Sequence, residues 1–313
     1  MNQLLETVSI GDASEAPHLI IHCPHGATVD DIITRDPALW DQLVKAAEAS
    51  GLSEHDLREF INIEADVFSF ELAHALAEKI RHEIQDIRIQ IIKVCVPRAL
   101  VDMNRNEDHC LGKVFHFDEY PELVKRLKDI HQEIFEGLQT AFVSLEGCPG
   151  IEPSGTLFEI HTMGPVTPID VPISPETLHE RLRIWKQMGG EPRQIDIIDE
   201  MEEDGKRWFF SDKEICDELQ QAFRERAVRN LPYWGRPYLL SYHWSQLVDS
   251  HVVLDFPKHE LSRERLDGDE RYPIENLTMD EHKVHKVSET LARVLVPILR
   301  RRMRVTSETN MIG

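Results

Sequence analysis

Four stretches of the sequence end in side chains able to do chemistry. His22 and His25 close an apolar run at 18–23, and Arg98, Asn104 and Arg105 follow an isoleucine-rich run at 87–97. Glu159 and His161 lie on a run at 156–161, and Asp255 lies within one at 251–256. In an open α/β sheet the carboxyl ends of the strands converge on one crevice, so side chains far apart in sequence can meet there. Two imidazoles and a carboxylate are the ligand set of a catalytic zinc that keeps one position open for water. His25 and His161 are candidate imidazole ligands, with His22 as a competitor for the place of His25, and Asp66 is the candidate carboxylate. Against this, a lone histidine beside an apolar run is more often a hydrogen-bonded structural residue. Glu159 shares a strand face with His161 and could orient a ligand from behind, or form a buried ion pair. Asn104 and Arg105 together offer an amide and a planar guanidinium, suited to a substrate carboxylate. The alternative is a surface loop in which Arg105 pairs with Asp102 or Glu107.

The elements that must position these residues follow from the hydrophobic pattern. Strands are expected at 18–23, 87–97, 156–161, 194–198, 238–242 and 251–256, each a short apolar run closed by a turn or breaker. Helices are expected at 36–49, 52–60, 66–82, 121–141, 176–188 and 212–228, with a last one from 278 that Pro297 should kink. Asp66 thus falls at a helix start, where its charge suits the dipole. Ser211 with Glu214, and Thr278 with Glu281, read as capping boxes. Strands alternating with helices from end to end argue for an α/β layer protein in one domain over 1–313. The proline-rich stretch at 164–175 and the acidic tract at 199–205 suggest an inserted subdomain at about 164–229.

Composition narrows the function classes. The 313 residues are 41% hydrophobic, an ordinary globular usage, and carry a net charge of −21 that disfavours binding to nucleic acid or to an anionic membrane. The only basic tract is Arg300-Arg301-Arg302-Met303-Arg304. The first sixteen residues have neither a basic nor an apolar region of the kind a secretion signal needs, so the cytoplasm is the expected compartment. Five scattered cysteines give no disulfide framework and no paired metal knuckle. Oligomeric state is not legible.

Pro97-Arg-Ala-Leu-Val-Asp-Met-Asn-Arg105 resembles the PRAxVDLNR signature of the N-formylglutamate amidohydrolase family. Cys23-Pro24-His25-Gly26 is similar to its early PHSG, residues 64–72 to its EDAFVDEL with Asp66 on the second acidic position, and Phe158-Glu-Ile-His-Thr-Met163 to its DLHSM. Residues 230–235 and 252–258 resemble a family tail whose strand reads approximately LEINR, and agreement is weakest over 164–229. The resemblance implies a three-layer fold related to the zinc carboxypeptidases, with a mixed, mostly parallel sheet flanked by helices (phosphorylase/hydrolase-like). It further implies a zinc ion, or another divalent transition metal, held by His25, Asp66 and His161. Asn104 and Arg105 would bind the carboxylate of a small amino-acid-like substrate.

Asp255, where the related enzymes carry a glutamate, would be the general base for the attacking water, and Arg98 would help stabilise the developing oxyanion. Two further departures are His22 in place of a small residue, reaching into the pocket or competing as a ligand, and Glu159 in place of an aspartate. The aromatic-rich region that includes Trp185, Trp208, Tyr233, Trp234 and His243 could rebuild the substrate pocket, although core packing is the plainer role for it. The implied activity is hydrolysis of an N-formyl or N-acyl amide. The alternatives are a carboxypeptidase-like or tailoring amidohydrolase acting on another substrate, and an inactive binding protein on the same fold.

Overall fold

The computed structural model describes residues 4–116, 119–146, 155–164, 171, 173–186, 192–248, 250–263 and 277–310. Cys148, the C-terminal end of the expected 176–188 helix and much of the 164–175 stretch lie outside the described residues.

The runs at 18–23, 87–97, 156–161 and 251–256 form β2 (Leu19–Cys23), β3 (Ile89–Val94), β4 (Thr156–Met163) and β9 (Ser250–Pro257). They are parallel neighbours in a seven-stranded sheet of order β1-β3-β2-β4-β9-β5-β8. At one edge β1 (Leu5–Ile10) is antiparallel to β3. At the other, β5 (Ile195–Ile197) is antiparallel to β9, and β8 (Ala227–Arg229) is parallel to β5. The sheet is mixed and mostly parallel, and helices cover both faces, giving three layers.

On one face pack α1 (Val29–Arg35), α2 (Pro37–Ala49), α3 (Glu54–Glu64) and α5 (Pro121–Val143), with Leu43, Phe60, Leu127 and Leu138 buried against Ile20, Ile92 and Leu157. On the other lie α4 (Ser69–Glu83), α7 (Lys213–Phe223) and α9 (Glu281–Asn310), whose Leu76, Leu219 and Leu291 meet Ile21, Phe158, Ile160 and Leu254. The helix expected at 176–188 is α6 (Leu178–Lys186). Because side chains alternate along a strand, burying Phe158 and Ile160 on the second face turns Glu159 and His161 to the first. His22, His251, Asp255 and Asp196 face the same way, since their strand neighbours Ile21, Leu254, Phe256 and Ile197 pack on the second face.

Several expectations are corrected. The 238–242 stretch is not a strand: α8 (Leu240–Ser245) forms there, with Leu240, Ser241 and Trp244 buried at helical spacing. The backbone amide of Ser241 donates to Asn104 Oδ1 at 3.0 Å, which anchors the first turn. The helix expected over 212–228 ends at Phe223, because Arg224 takes φ 54° and the chain turns into β8. Its cap is Asp212, which accepts from the Ile215 amide, while the Ser211 hydroxyl donates to the Ile198 carbonyl. Asp280, not Thr278, caps α9 by accepting from the amides of His282 and Lys283. Within 164–229, β5 and β8 extend the main sheet, while β6 (Glu200–Glu203) and β7 (Lys206–Phe209) make a separate hairpin. Its turn is Asp204-Gly205, both at positive φ, a dipeptide suited to a tight hairpin.

The basic tract on α9 is absorbed by the chain's own acids: Arg300 pairs with Glu83, Arg301 with Glu214 and Arg302 with Asp212. Among the described residues no helix is long and apolar enough to cross a membrane.

Candidate active site

Three side chains from three elements meet at the carboxyl edge of the sheet. His25 sits just beyond β2, where Gly26 lets the loop press against α4: a Cβ at Gly26 would lie 3.1 Å from Ser69 Oγ. Asp66 lies between α3 and α4, and its amide donates to the His25 carbonyl at 2.9 Å. His161 stands on β4. His25 Nδ1, His161 Nδ1 and Asp66 Oδ2 form a buried triangle with sides of 3.2, 3.3 and 3.3 Å. Four ligands set tetrahedrally at about 2.0–2.1 Å from an ion are about 3.3–3.4 Å apart. The triangle therefore has the edge lengths of three corners of such a site, and the group could hold a metal ion.

The surroundings fit that reading. His25 Nε2 is 2.8 Å from Asp102 Oδ1, so a proton held there leaves Nδ1 as the acceptor facing the triangle. Burial and Arg98 would pull the His25 imidazole down, but Asp102 and Asp66 outweigh them and raise it. Burial would raise the carboxyls of Asp66 and Asp102. For Asp66 the opposing groups are His25, His161 and Arg98, and for Asp102 they are Arg98 and His25; each carboxyl ends far below its ordinary range. Both carboxylates are thus ionised, the form in which Asp66 can serve as a ligand.

Asp255 is the sheet neighbour of His161 on one side and of Asp196 on the other. Burial first, then the charge of Asp66, push its carboxyl well above the usual range. Its Oδ1 has no hydrogen-bond partner among the described residues. These side chains border a cavity of about 340 Å³, whose lining includes His25, His161, Asp255, Arg98, Asn104 and Arg105.

Arg98 reaches Asp66 at 3.6 Å and Asp102 at 3.5 Å. Arg105 faces the cavity, but its Nε also lies 3.4 Å from Asp102 and its guanidinium is stacked 4.9 Å from the Tyr238 ring. Asn104 Oδ1 accepts from the hydroxyl and amide of Ser241.

Three expected site residues are placed elsewhere. His22 neither reaches the ligand triangle nor lines the cavity: its Nδ1 is 2.8 Å from Glu159 and its ring packs on Phe142. Glu159 touches neither ligand imidazole and instead bridges His22 and His251, the latter at 2.9 Å. Burial would raise its carboxyl, but the bonds from both histidines hold it well below the ordinary value. His243 packs between Phe135 and Trp244, away from the cavity lining.

Sequence reasoning missed four contributors. Asp102 was legible only as an ion-pair partner. Asp196 accepts the Leu231 amide on Oδ1 and the Tyr233 amide on Oδ2, fixing the segment that brings Tyr233, Trp234 and Arg236 to the cavity wall. Lys258 donates to the Ile63 carbonyl at the end of α3, and burial brings its ammonium down to about 8 although Asp66 and Glu64 oppose it. Arg193 enters the cavity from the start of β5.

No family model and no curated protein matches the sequence. Solved structures do match in fold. The N-formylglutamate amidohydrolase of Ralstonia eutropha JMP134 superposes with a TM-score of 0.50 over 95% of this chain and 98% of its own, at 13% identity. A gene product of Agrobacterium tumefaciens superposes with a TM-score of 0.53 over 94% of each chain, also at 13% identity. The chain therefore has an N-formylglutamate-amidohydrolase-like fold.

Proposed function

We propose that this chain hydrolyses an N-formyl or N-acyl amide bond in a small substrate bearing a carboxylate, with His25, Asp66 and His161 holding a zinc or similar divalent ion. The observation that carries this reading is the buried ligand triangle, set beside a carboxyl, Asp255, that has an unpartnered oxygen and an elevated affinity for protons. An ion held by the triangle would polarise the scissile carbonyl and make a water molecule more acidic. Asp255 Oδ1 takes the proton of the attacking water and returns it to the leaving nitrogen. A base whose pKa lies nearer the working pH serves both transfers better than an ordinary aspartate. Arg98 places positive charge beside the carbonyl oxygen as it becomes an oxyanion. Asn104 and Arg105 hold the carboxylate, so that its binding energy orients the amide.

The fold shared with an amidohydrolase supports the reaction class, while the replacement of the expected glutamate by Asp255 leaves the acyl group open. The test is metal analysis and turnover together. Purified protein loaded with zinc should retain one equivalent and cleave N-formyl- or N-acyl-glutamate, with loss of activity on chelation. A chain that binds no stoichiometric metal, or whose turnover is indifferent to chelator, sinks the reading.

A further inference from the structure

Although the whole chain carries a charge of −21, its cavity is lined by Arg98, Arg105, Arg181, Arg193, Arg236 and Lys258. Three of these cations have carboxylates within 4 Å: Arg98 has Asp66 and Asp102, Arg105 has Asp102, and Arg181 has Glu64 at 3.1 Å. Lys258 is bonded to the Ile63 carbonyl, and Arg236 donates to the Glu202 carbonyl at 3.1 Å.

Arg193 differs from all of them. Its guanidinium lies 4.9 Å from the centre of the Tyr233 ring, and Nη1 is 3.5 Å from the Tyr233 hydroxyl. Among the described residues no carboxylate lies within ion-pair distance of it, and its Nη2 is buried without a hydrogen-bond partner. A buried donor left unmade is costly, more so when charged, so such a group in a cavity wall is suited to a ligand acceptor.

The sheet fixes which part of a substrate Arg193 would meet. Strand order is β3-β2-β4-β9-β5, and because β5 is antiparallel to β9, residues just before β5 lie at the same edge as the ends of β2 and β4. The loop that carries Arg105 leaves β3 and Arg193 precedes β5, and those two strands are four spacings, or about 19 Å, apart in the sheet. The two imidazoles of the ligand triangle, His25 just after β2 and His161 on β4, belong to strands that lie between those two. A substrate with its carbonyl at the triangle and its amine-side carboxylate on Asn104 and Arg105 therefore extends its acyl group toward Arg193. A cavity of about 340 Å³ is of ligand-pocket size and accommodates an acyl group longer than formyl.

We propose that the substrate is the monoamide of a dicarboxylic acid, and that Arg193, braced on Tyr233, binds the free carboxylate of its acyl half. This rests on the amide-hydrolysis reading for its orientation, and the two can fail separately. N-succinyl-glutamate and N-butyryl-glutamate differ in a carboxylate against a methyl at the end of the acyl chain. With zinc-loaded protein the succinyl amide should show at least tenfold higher kcat/KM and, by calorimetry, at least tenfold tighter binding. Arg193→Gln should bring both ratios close to one, and Arg193→Lys should restore part of them. Equal binding of the two amides by the parent protein, or a preference that survives Arg193→Gln, overturns the proposal. If neither amide is cleaved but the succinyl compound binds more tightly through Arg193, the hydrolytic reading falls and the acyl-side anion site stands.

Discussion

The buried chain His22–Glu159–His251 gives a prediction that is independent of any metal. All three residues are buried, and each carboxylate oxygen receives one imidazole N–H, at 2.8 Å from His22 and 2.9 Å from His251. In Glu159→Leu both donors lose their acceptor, and exchanging tautomers is no remedy, because His22 Nε2 and His251 Nδ1 are also without partners among the described residues. Two unmade buried bonds cost about 2–6 kcal/mol at about 1–3 each, offset in part by no longer burying a carboxylate. Glu159→Gln keeps one acceptor; its amide group can be met if one histidine moves its proton to the far nitrogen, leaving one unmade bond at about 1–3 kcal/mol. The expected order of stability is parent, then Gln, then Leu, read by denaturant unfolding at pH 7.5 with the slope unchanged.

The pH dependence adds a sign. Burial holds His22 below its ordinary value of 6.5, so the unfolded chain takes up the proton first and stability falls as pH drops below 6.5. Glu159 is held below its ordinary 4.5, so its contribution is present above that value and lost at lower pH; Glu159→Leu should abolish this second, more acidic loss. A Leu variant as stable as the parent, or a Gln variant less stable than Leu, refutes the hydrogen-bond accounting.

Asp102→Asn should weaken zinc binding about 10–100-fold, equivalent to about 1.4–2.8 kcal/mol, because the partner that sets the His25 tautomer loses its charge. Competition with a chromophoric chelator reads this, and unchanged affinity in a folded variant refutes it. Asp196 is pushed up to about 6 by burial, against the amide bonds from Leu231 and Tyr233. Its stabilising share is thus present below the ordinary 3.8 and lost as pH rises through about 6, a swing of roughly 3 kcal/mol. The Asp196→Asn variant should lack that slope between pH 4 and 6, and parallel stability–pH curves would rule the assignment out. Arg302 bonds Thr156, Ser250 and Asp212 from α9. Its replacement by Met should cost about 2–3 kcal/mol, below the roughly 3–5 of a fully buried pair because part of the side chain is exposed. The same change at exposed Arg301 should cost less than about 1 kcal/mol, and equal losses in chemical denaturation would refute the distinction.

The parts of the fold legible in the sequence are those that bury both faces. β2, β4 and β9 read as largely apolar runs because helices cover the sheet on either side. β1 was missed because, at the sheet edge, it leaves its side chains half-exposed and carries no clean run. β6 and β7 hide inside an acidic stretch, although the Asp204-Gly205 turn between them was a usable signal. The 238–242 stretch was misassigned because a short apolar run does not separate strand from buried helix. What settles it is Asn104, remote in sequence, capturing the Ser241 amide.

The same limit governs the site. Strand alternation places Glu159 and His161 on one face, but it does not give depth. Two residues along a strand are about 6.6 Å apart, enough to set Glu159 beneath the cavity floor, where its partners are His22 and His251 rather than a ligand. His25 and His161 could be singled out because each stands where a buried strand reaches the crevice, a local property. Asp102 and Arg193 act through distances that only the assembled sheet defines: 2.8 Å to His25 for the first, and for the second the lack of any carboxylate partner among the described residues. Hence the two imidazoles facing the proposed ion are written in strand ends, whereas the residues that orient them or choose the acyl group depend on which strands become neighbours. If Arg193 chooses the acyl group, specificity in this fold can change through the segment before β5 while the ligand triangle stays fixed.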